Sequence, residues 1–491
     1  MFEEFLLESH QPFGDKHILF EGFSRSWRMG EFLADVKKVA QALLGIREQA
    51  PSIVGIKCRN FYHHWLIIFA LDQLGITSAS FPNDIGVTFH ENFNIIQPDL
   101  MLCDEVLSAY QVKSFLINEK WFSDVLSRGR VFLGKYKNTS FARVSVASGT
   151  SVNAEKIGAT AEYIIQNINN ILHSNLLSFT HKKEEKKPQV ISCIGFDILT
   201  GFQIIMAAMV AGATVEVADR IHIAAILARN TPLVLILSPL HLEYIIGILS
   251  PLSTARDSLN IIIVGGSLPE QLRNITTQKL TRKIHVVYGT EETSLVAVQN
   301  DKLNWGMNSV GSVLPWVEVE VVDENGHILD EEQEGSVRIK SNSVLPPQFF
   351  LGLKAEDKFQ NGWFYPGDRG YFKSPNKELF ITGRYDDLVS FGGDKFDLRL
   401  LDDIVKSFSP IIDGSVFPVP DKNGVLKPYV AVVCKNNFDG DELSRKMHEK
   451  YENLPSITLI WVNEIPRLSD GRPNRKLMTD SISEALKSNS V

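Results

Sequence analysis

The chain has 491 residues, of which 44% are hydrophobic and 22% are charged. This composition is that of a soluble globular protein, so it excludes a disordered chain and a bundle of membrane helices. The length exceeds what one hydrophobic core usually supports, which predicts at least two domains. The formal net charge of -8 gives no electrostatic reason to expect nucleic acid or an anionic membrane as the main partner. Any phosphate-binding site must therefore be local.

The compartment is predicted from the amino terminus and the cysteines. The first residues, MFEEFLLESH, carry acidic charge ahead of a short apolar stretch, unlike a secretory or organellar signal. The four cysteines lie far apart and show neither a CxxC pair nor metal-ligand spacing: Cys58, Cys103, Cys193 and Cys434. We therefore expect a reduced, cytoplasmic protein.

Short apolar runs rich in β-formers alternate with helical runs through the first three hundred residues. This alternation predicts a layered α/β domain with parallel strands, whose ligands bind at the carboxyl ends of the strands. The runs are SIVGIKC, FYHHWLIIFALDQLG, LVLILS, PLHLEYIIGIL, LNIIIVGG, LPEQLRNITTQKL and IHVVYG.

The apolar stretch 190–218 is the one segment that raises the question of a membrane span. Asp197, Gln203 and Glu216 interrupt it, whereas a spanning helix needs roughly 20 nearly uncharged residues. A buried strand followed by a core helix is the better interpretation. The charge run 181–188 is interpreted as a solvated surface loop.

The pattern changes twice in the last third of the chain. After about Asn304, alternating residues around a DENG turn predict a small antiparallel β subdomain. After GRYDD, a compact α+β domain of about a hundred residues is predicted. The predicted division is an amino-terminal domain, 1–384, and a carboxyl-terminal domain, 385–491.

The segment VVYGTEET, 286–293, carries the most chemistry. A glycine at a strand end, Gly289, allows close backbone approach to a ligand, and the ring of Tyr288 can stack on a base. A carboxylate such as Glu292 can hold Mg²⁺ against phosphates. Taken alone, the segment could be a surface turn.

Four further segments follow a fixed order and favour a ligand-binding role for VVYGTEET over a surface turn. They are GGSLPEQL (265–272), SVGSVLPWVEVEVVDENG (309–326), GWFYPGD (362–368) and ITGRYDDLVSFGGDKF (381–396). With VVYGTEET, these segments resemble motifs of the adenylate-forming superfamily, which includes acyl- and aryl-CoA ligases, adenylation domains of peptide synthetases and firefly luciferase. The resemblance runs nearly end to end. It implies a large amino-terminal domain that binds ATP and an acid, and a mobile carboxyl-terminal lid.

The resemblance also implies roles for single residues. Tyr288 would stack on adenine, Glu292 would bind Mg²⁺, and the carboxylate of Asp368 would accept hydrogen bonds from the ribose hydroxyls. Arg384 would reach the ribose and Asp386 would be the hinge, although an Asp after Gly commonly forms a turn and an Arg beside DD commonly forms a surface ion pair. The remaining nucleotide-binding residues would be Gly265, Gly266, Ser267, Gly289 and Thr290, with Gly265 also bordering the acyl pocket.

The predicted phosphate loop departs from the family pattern SGTTGxPKG. The chain keeps four of its residues, Ser148, Gly149, Thr150 and Ser151, which would hold the β- and γ-phosphates. It has Val152 at the second glycine, Ala154 at the proline and Glu155 at the lysine. Lys156 would supply the charge after a shift of one position, although a solvent-facing lysine is an equally weighted alternative.

Two other motif positions depart from type. Glu291 replaces a threonine, with Thr290 beside it, and an extra carboxylate near triphosphate should weaken binding unless it faces away or binds the metal. In PRLSDGRPNR, Arg472 occupies the place of the catalytic lysine, so the charge is kept while the geometry changes. Retained but altered activity is expected, and Arg475 or Lys476 are the alternatives for this role.

On the acid-binding side, Asp197 of GFDILTGF is the candidate residue. It would either hold the ammonium group of an amino acid or serve as a structural carboxylate, and both alternatives stay open. It lies fifteen residues before Gly212, a spacing that resembles acyl- and aryl-CoA ligases more than amino-acid-activating domains.

The function implied is activation of a small-molecule carboxylic acid by ATP and Mg²⁺ to an acyl adenylate with release of pyrophosphate. Transfer to the thiol of CoA, or to the phosphopantetheine arm of an acyl carrier protein, would follow at a face that includes Gly392 and Gly393. The alternative is a degenerate homologue that binds AMP or an acyl ligand without turnover. A P-loop phosphotransferase is disfavoured because the chain has no GxxxxGK[ST].

Overall fold

In the computed structural model, the described residues fall into ranges separated by short gaps. They are 1–10, 18–21, 25–49, 51–129, 136, 141–147, 155–174, 176–177, 189–218, 222–229, 233–250, 252–299, 308–352, 358–375, 377–421, 424–434, 438–468 and 471–488. The phosphate-loop residues 148–154 and the charge run 181–188 lie outside them, so the predictions for those segments stay predictions.

Some helices begin at residues that favour a helix start. Asn60 caps one of them by accepting hydrogen bonds from the backbone amides of Tyr62 and His63. Another begins with Pro239 at its first position after the capping Ser238. The helices are α1 (Phe2–His10), α2 (Met29–Ala42), α3 (Leu44–Arg47), α4 (Phe61–Gln73), α5 (Val87–Ile96), α6 (Glu119–Leu126), α7 (Ala161–His173), α8 (Leu199–Val210), α9 (Ile223–Leu227), α10 (Pro239–Ile248), α11 (Glu270–Lys279), α12 (Leu398–Lys406), α13 (Gly440–Lys450) and α14 (Arg475–Ser488).

The strands of the amino-terminal part are β1 (Ile18–Glu21), β2 (Ser26–Arg28), β3 (Val54–Lys57), β4 (Ser78–Ser80), β5 (Leu100–Cys103), β6 (Lys113–Leu116), β7 (Arg143–Ala147), β8 (Glu155–Ala159), β9 (Gln189–Ser192), β10 (Thr214–Val217), β11 (Leu233–Leu237), β12 (Leu259–Ile263) and β13 (Ile284–Thr290). Those that follow are β14 (Ser294–Gln299), β15 (Ser309–Val313), β16 (Val317–Val322), β17 (Gly335–Ser341), β18 (Phe359–Gln360), β19 (Trp363–Phe364), β20 (Asp368–Lys373), β21 (Glu378–Arg384), β22 (Leu388–Phe391), β23 (Asp394–Asp397), β24 (Ile411–Pro420), β25 (Leu426–Cys434) and β26 (Thr458–Trp461).

A parallel sheet forms the centre of the chain. Strands β1, β10, β9, β11, β12 and β13 pair in that order, all parallel. All five residues of β11, LVLIL, are buried, as expected where helices cover both faces of a parallel sheet. The predicted mixed α/β class is confirmed, and each of the alternating runs read from the sequence forms the expected strand or helix.

The apolar stretch 190–218 lies within this centre. It provides β9, the entirely buried helix α8 and β10, which confirms the interpretation as strand and core helix. No helix in the described ranges has both the length and the apolar character needed to cross a membrane. A second sheet, in the order β6, β5, β3, β4, β7, β8, packs through the same large hydrophobic core.

The antiparallel strands predicted after Asn304 form, with one difference. Strand β16 pairs with β17 as expected, but β15 pairs with both β14 and β21. The antiparallel strands are therefore continuous with the parallel sheet, rather than a separate sheet.

The carboxyl-terminal part has its own cores. A short 3-10 turn at Tyr385–Asp387 connects β21 to the β22–β23 hairpin. Two hydrophobic clusters then contain only residues between 389 and 482, packed around the β24–β25–β26 sheet. The domain boundary at 384/385 stays a prediction, which this distribution of core residues supports.

Candidate active site

A cavity of about 2220 Å³ lies at the carboxyl ends of the parallel strands. Segments following β9, β11, β12 and β13 line it, and so do Arg467, Leu468 and residues 471–473 and 475 of the carboxyl-terminal part. Most of the residues singled out from the sequence line this one cavity: Asp197, Gly265, Gly266, Ser267, Tyr288, Gly289, Thr290, Glu292, Asp368, Arg384 and Arg472. Asp386 and Lys156 are not part of its lining.

Three of these side chains form a connected cluster. The hydroxyl of Tyr288 donates to Asp368 Oδ2 at 2.6 Å, and Arg384 Nη1 lies 3.4 Å from Asp368 Oδ1. Strands β20 and β21 set the second contact, because their antiparallel register puts Asp368 directly opposite Arg384. Arg384 Nη2 also donates to the carbonyl of Pro366 at 2.7 Å. The guanidinium is thus fixed on two sides.

The environment of Asp368 raises the pKa of its carboxyl group above the ordinary value. Burial is the largest cause, and the charge of Arg384 and the hydrogen bond from Tyr288 offset it only in part. The charge of Arg472, the arginine at the family's lysine position, also lowers this pKa, and Arg472 lines the same cavity. Burial, followed by the charge of Asp368, raises the pKa of Tyr288 well above its ordinary value, which keeps its hydroxyl a donor.

The turn that follows Tyr288 depends on glycine. The register between β13 and β14 shifts between Tyr288 and Gly289, and a Cβ at Gly289 would meet the carbonyl oxygen of Ser294 at 1.9 Å. The backbone also adopts φ of +85° at Gly265, which a side chain would strain. Both glycines allow the backbone to border the cavity closely.

Glu291 faces away from the place predicted for triphosphate. Its carboxylate accepts hydrogen bonds from the backbone amides of Leu199 at 2.5 Å and Thr200 at 3.2 Å, at the amino terminus of α8. A carboxylate at this end of a helix is favoured by the unpaired amides and the helix dipole. Burial nevertheless raises its pKa to about 7. The carboxylate expected to weaken nucleotide binding instead caps a core helix.

Glu292 is the carboxylate directed to the cavity, and a lysine accompanies it. Lys358 Nζ lies 3.1 Å from Glu292 Oε1 and 3.3 Å from Glu155 Oε2. Burial alone would raise the pKa of Glu292, but the Lys358 charge lowers it below its ordinary value, so the carboxylate is ionised. Lys358 was not among the residues predicted from the sequence, because nothing in DKFQNGW indicates which acidic residue it meets.

The side chain of Lys156 contacts α5. Its ammonium donates to the carbonyl of Ile96, at the end of α5, at 2.7 Å. In this conformation it contacts that helix rather than Glu292, whose nearest described cation partner is Lys358. The phosphate-contacting role predicted for Lys156 stays a prediction.

The alternatives to Arg472 occupy distinct places. Arg475 is engaged with the carboxylates of Asp387 at 3.3 Å and Asp402 at 2.6 Å. Lys476 is exposed and does not line the cavity. Asp386, the predicted hinge residue, lies 4.0 Å from Arg384 Nη2. These placements favour Arg472 for the catalytic cation.

On the side of the cavity predicted to bind the acid, the charges of Asp197 and the buried Arg143 influence each other. Burial raises the pKa of Asp197, opposed by its own amide and by Arg143. Burial lowers the pKa of Arg143 to about 9, opposed by Asp197. Arg143 is held by the carbonyl of Phe196 at 2.7 Å and by Ser80 Oγ at 2.8 Å. The Asp197 carboxyl therefore lines the cavity with a compensating charge behind it.

Comparison with known proteins shows which enzymes this chain resembles. The family model described as AMP-binding enzyme matches residues 161–347. The 2-succinylbenzoate–CoA ligase of Listeria monocytogenes is 22% identical over 94% of this chain and 96% of that enzyme. Residues 161–347 match the AMP-binding enzyme family, and the relative that resembles nearly the whole chain is a CoA ligase, an enzyme of the adenylate-forming superfamily. This confirms the family read from the motifs, and the predicted class of acid–thiol ligase agrees with the names of these relatives.

Other similarities are partial or concern the fold. The 3-hydroxybenzoate/4-hydroxybenzoate–CoA ligase of Thauera aromatica is 24% identical over 57% of this chain, and the match spans only 56% of that enzyme. Bacillus subtilis o-succinylbenzoate CoA synthetase, solved with its acyl-adenylate intermediate, superposes with a TM-score of 0.78 at 17% identity, covering 97% of this chain and 98% of that chain. ATP-bound MatB of Rhodopseudomonas palustris has the same TM-score at 16% identity, covering 99% and 100%. The chain therefore shares the fold of these two enzymes over nearly its full length.

Proposed function

We propose that this ligase activates a small-molecule carboxylic acid with ATP to form an acyl adenylate, then transfers the acyl group to a thiol. The single observation that carries the proposal is the convergence of Tyr288, Glu292, Asp368 and Arg384 on one cavity. They come from separate strands and turns: β13 and the turn after it, β20 and β21. A site that binds adenosine and phosphate together explains the presence of all four.

The nucleotide end would be held by groups with matched chemistry. Asp368 offers two carboxylate oxygens to the two ribose hydroxyls, and its pairing with Arg384 and Tyr288 fixes its orientation. The Tyr288 ring, anchored by its hydroxyl, would present a flat surface to adenine. Orientation of this kind is the main contribution an enzyme makes to phosphoryl and nucleotidyl transfer.

The chain's donor set fits a magnesium ion held jointly with the nucleotide. The described residues include no group of three or more His, Cys, Asp or Glu side chains able to hold a metal by themselves. Mg²⁺ characteristically takes one or two carboxylates, water and substrate phosphates, so the ionised Glu292 suffices. When bound, the ion would neutralise phosphate charge.

In the proposed first step, a carboxylate oxygen of the acid attacks the α-phosphorus of ATP in line. The new oxygen–phosphorus bond replaces the bond to the β-phosphate bridge, and pyrophosphate leaves with that electron pair. Arg472 would stabilise the charge on the reacting phosphate and carboxylate, since its charge already reaches Asp368. The forked guanidinium places its donors differently from a lysine, so an altered rate is expected.

The second step would transfer the acyl group to a thiol, with AMP as leaving group, after the carboxyl-terminal domain turns about Asp386. CoA is the acceptor we propose, because the relatives described above are named as CoA ligases. A phosphopantetheine arm on a carrier protein is the second acceptor to test. A face with Gly392 and Gly393, both at positive φ, would admit either pantetheine chain.

The decisive experiment is acid-dependent exchange of labelled pyrophosphate into ATP over a panel of fatty, aryl and amino acids, followed by thioester assays with CoA and with a loaded carrier. We expect exchange with at least one acid and its loss in Asp368→Asn. If no acid supports exchange while AMP binds measurably, the chain is a binding module without turnover.

A further inference from the structure

The ion-pair cluster of Lys358, Glu292 and Glu155 is built from three separate parts of the chain. Glu155 begins β8, Glu292 lies in the turn between β13 and β14, and Lys358 directly precedes β18. The side chains of Lys358, Glu155 and Glu292 are 23%, 11% and 8% exposed. The cluster is thus largely shielded from solvent, where charge interactions are stronger than at the surface.

The backbone around this cluster is held in place. The amide of Tyr365 donates to the carbonyl of Lys358 at 2.8 Å, which fixes the lysine against β19. The amide of Leu351 donates to the carbonyl of Lys156 at 2.8 Å, which joins Leu351 to β8 next to Glu155. The position of the ammonium therefore follows from the fold rather than from a loose surface side chain.

The cluster reverses the charge pattern expected for a phosphate loop. By the motif resemblance, Glu155 occupies the position of a lysine that would meet the terminal phosphates. An uncompensated carboxylate there would repel triphosphate. The structure compensates it with Lys358, which places a cation at the same location from a different segment.

We propose that Lys358 contacts the β- and γ-phosphates of ATP, in place of the lysine that the phosphate loop lacks. This inference rests on the proposed use of ATP. Lys358 Nζ lies 3.1 Å from Glu292 Oε1, and Glu292 is part of the cavity lining. The flexible four-carbon stem of a lysine allows a small displacement toward the cavity.

The proposed arrangement satisfies the charges in both states. Without nucleotide, Lys358 neutralises the two carboxylates. With nucleotide and its magnesium ion, Glu292 turns to the metal, and Lys358 keeps Glu155 while donating to phosphate oxygens. An ammonium has three N–H donors, so it can serve a carboxylate and two phosphate oxygens together. Glu155 then orients the lysine instead of opposing the nucleotide.

The test compares ATP with AMP, which lacks the β- and γ-phosphates. We would measure binding of both by calorimetry, with magnesium, to the full chain and to Lys358→Met. The variant should bind ATP on the order of 10- to 100-fold more weakly and AMP within about threefold of the parent chain, because only ATP gains charge-assisted hydrogen bonds. Lys120→Met, at an exposed residue of α6, is the matched control and should change neither affinity.

Two further variants separate phosphate contact from structural pairing. The charge swap Glu155→Lys with Lys358→Glu keeps the ion pair and returns the lysine to the loop position, so it should restore ATP affinity to within about tenfold of the parent chain. Lys358→Arg keeps the charge and should lose less than Lys358→Met.

Equal loss of ATP and AMP affinity in Lys358→Met, or no loss of either, would overturn the proposal. So would a swap variant that unfolds at the parental temperature and binds AMP normally, yet binds ATP as weakly as Lys358→Met. These measurements need no acid substrate. A failure of the proposed ligase reaction would instead show as absent pyrophosphate exchange with normal discrimination between ATP and AMP.

Discussion

Asp368 and Arg384 face each other across the β20–β21 pair, with 3.4 Å between Arg384 Nη1 and Asp368 Oδ1. The arginine charge compensates the burial of the carboxylate, and Tyr288 occupies its other oxygen. A buried carboxylate held by two partners is a rigid acceptor that can receive ribose hydroxyls without reorganising. The sheet register is thus the direct cause of the proposed nucleotide specificity.

Replacing Asp368 with Asn should lower kcat/KM for pyrophosphate exchange by at least about 100-fold, because one acceptor oxygen becomes a donor and Arg384 loses its charge partner. The thermal unfolding temperature should also fall, since the guanidinium is left without its counter-ion. Asp480→Asn, on the exposed side of α14, is the control. Unchanged kinetics in Asp368→Asn would remove this residue from the ribose site.

Tyr288→Phe should separate the stacking of the tyrosine ring from the hydrogen bond of its hydroxyl. The ring is kept for stacking, so the affinity for ATP should fall only a few-fold, whereas Tyr288→Ala should lose more. Loss of the hydroxyl removes a hydrogen bond that lowers the pKa of Asp368, so that pKa should rise. The acid limb of the pH–activity profile should move to higher pH, and an unmoved limb would contradict the pairing.

Glu291 should give the stability of the protein a measurable pH dependence. Its pKa rises from 4.5 to about 7 on folding because of burial, so the folded state binds the proton more tightly. The associated stabilisation is full below pH 4.5 and is lost as the pH rises through about 7, a change on the order of 3 kcal/mol.

In Glu291→Gln this pH-dependent contribution to the free energy of unfolding is absent. The difference in unfolding free energy between variant and parent should therefore shift in favour of the variant as the pH is raised from 5 to 8. Denaturant titrations at several pH values measure this difference in unfolding free energy. Glu318→Gln, at an exposed residue of β16, is the control. Parallel stability profiles for Glu291→Gln and the parent would show that Glu291 does not titrate in this range.

Arg472→Lys should change adenylation more than thioester formation. The residue lines the same cavity as Asp368, where the first step is proposed to occur. Single-turnover measurements of adenylate formation and of acyl transfer from preformed adenylate separate the steps. Lys476→Arg supplies the control, and equal effects on both steps in Arg472→Lys would rule out the assigned role.

The arrangement of elements was readable from the sequence to a large extent. The stretches that become β11, α10, β12 and α11 each carry a clear pattern and clear ends, such as Ser238 before Pro239. The composition of the nucleotide cluster was also readable, because the motifs fix residue types at each position. Local pattern and motif order are sufficient for both.

Pairings between distant segments were not readable. Glu291 accepts from amides more than ninety residues earlier in the chain, and Lys358 meets Glu292 across 66 positions. Such contacts depend on strand register and loop path, which the order of residues does not specify. The same holds for β20–β21, whose register includes an irregularity between Arg369 and Gly370. The sequence could indicate that Glu291 was unusual but not where it pointed.

Because Glu291 caps α8, the neighbouring residues Glu291 and Glu292 contact different parts of the proposed site. Glu291 is tied to the helix that begins two residues after Asp197, while Glu292 points to the proposed phosphate site. Changing the start of α8 to accept a new acid would shift the metal-binding carboxylate with it. Engineering of acid preference should therefore begin at Ser238–His241, which line the same cavity from the start of a different helix, α10.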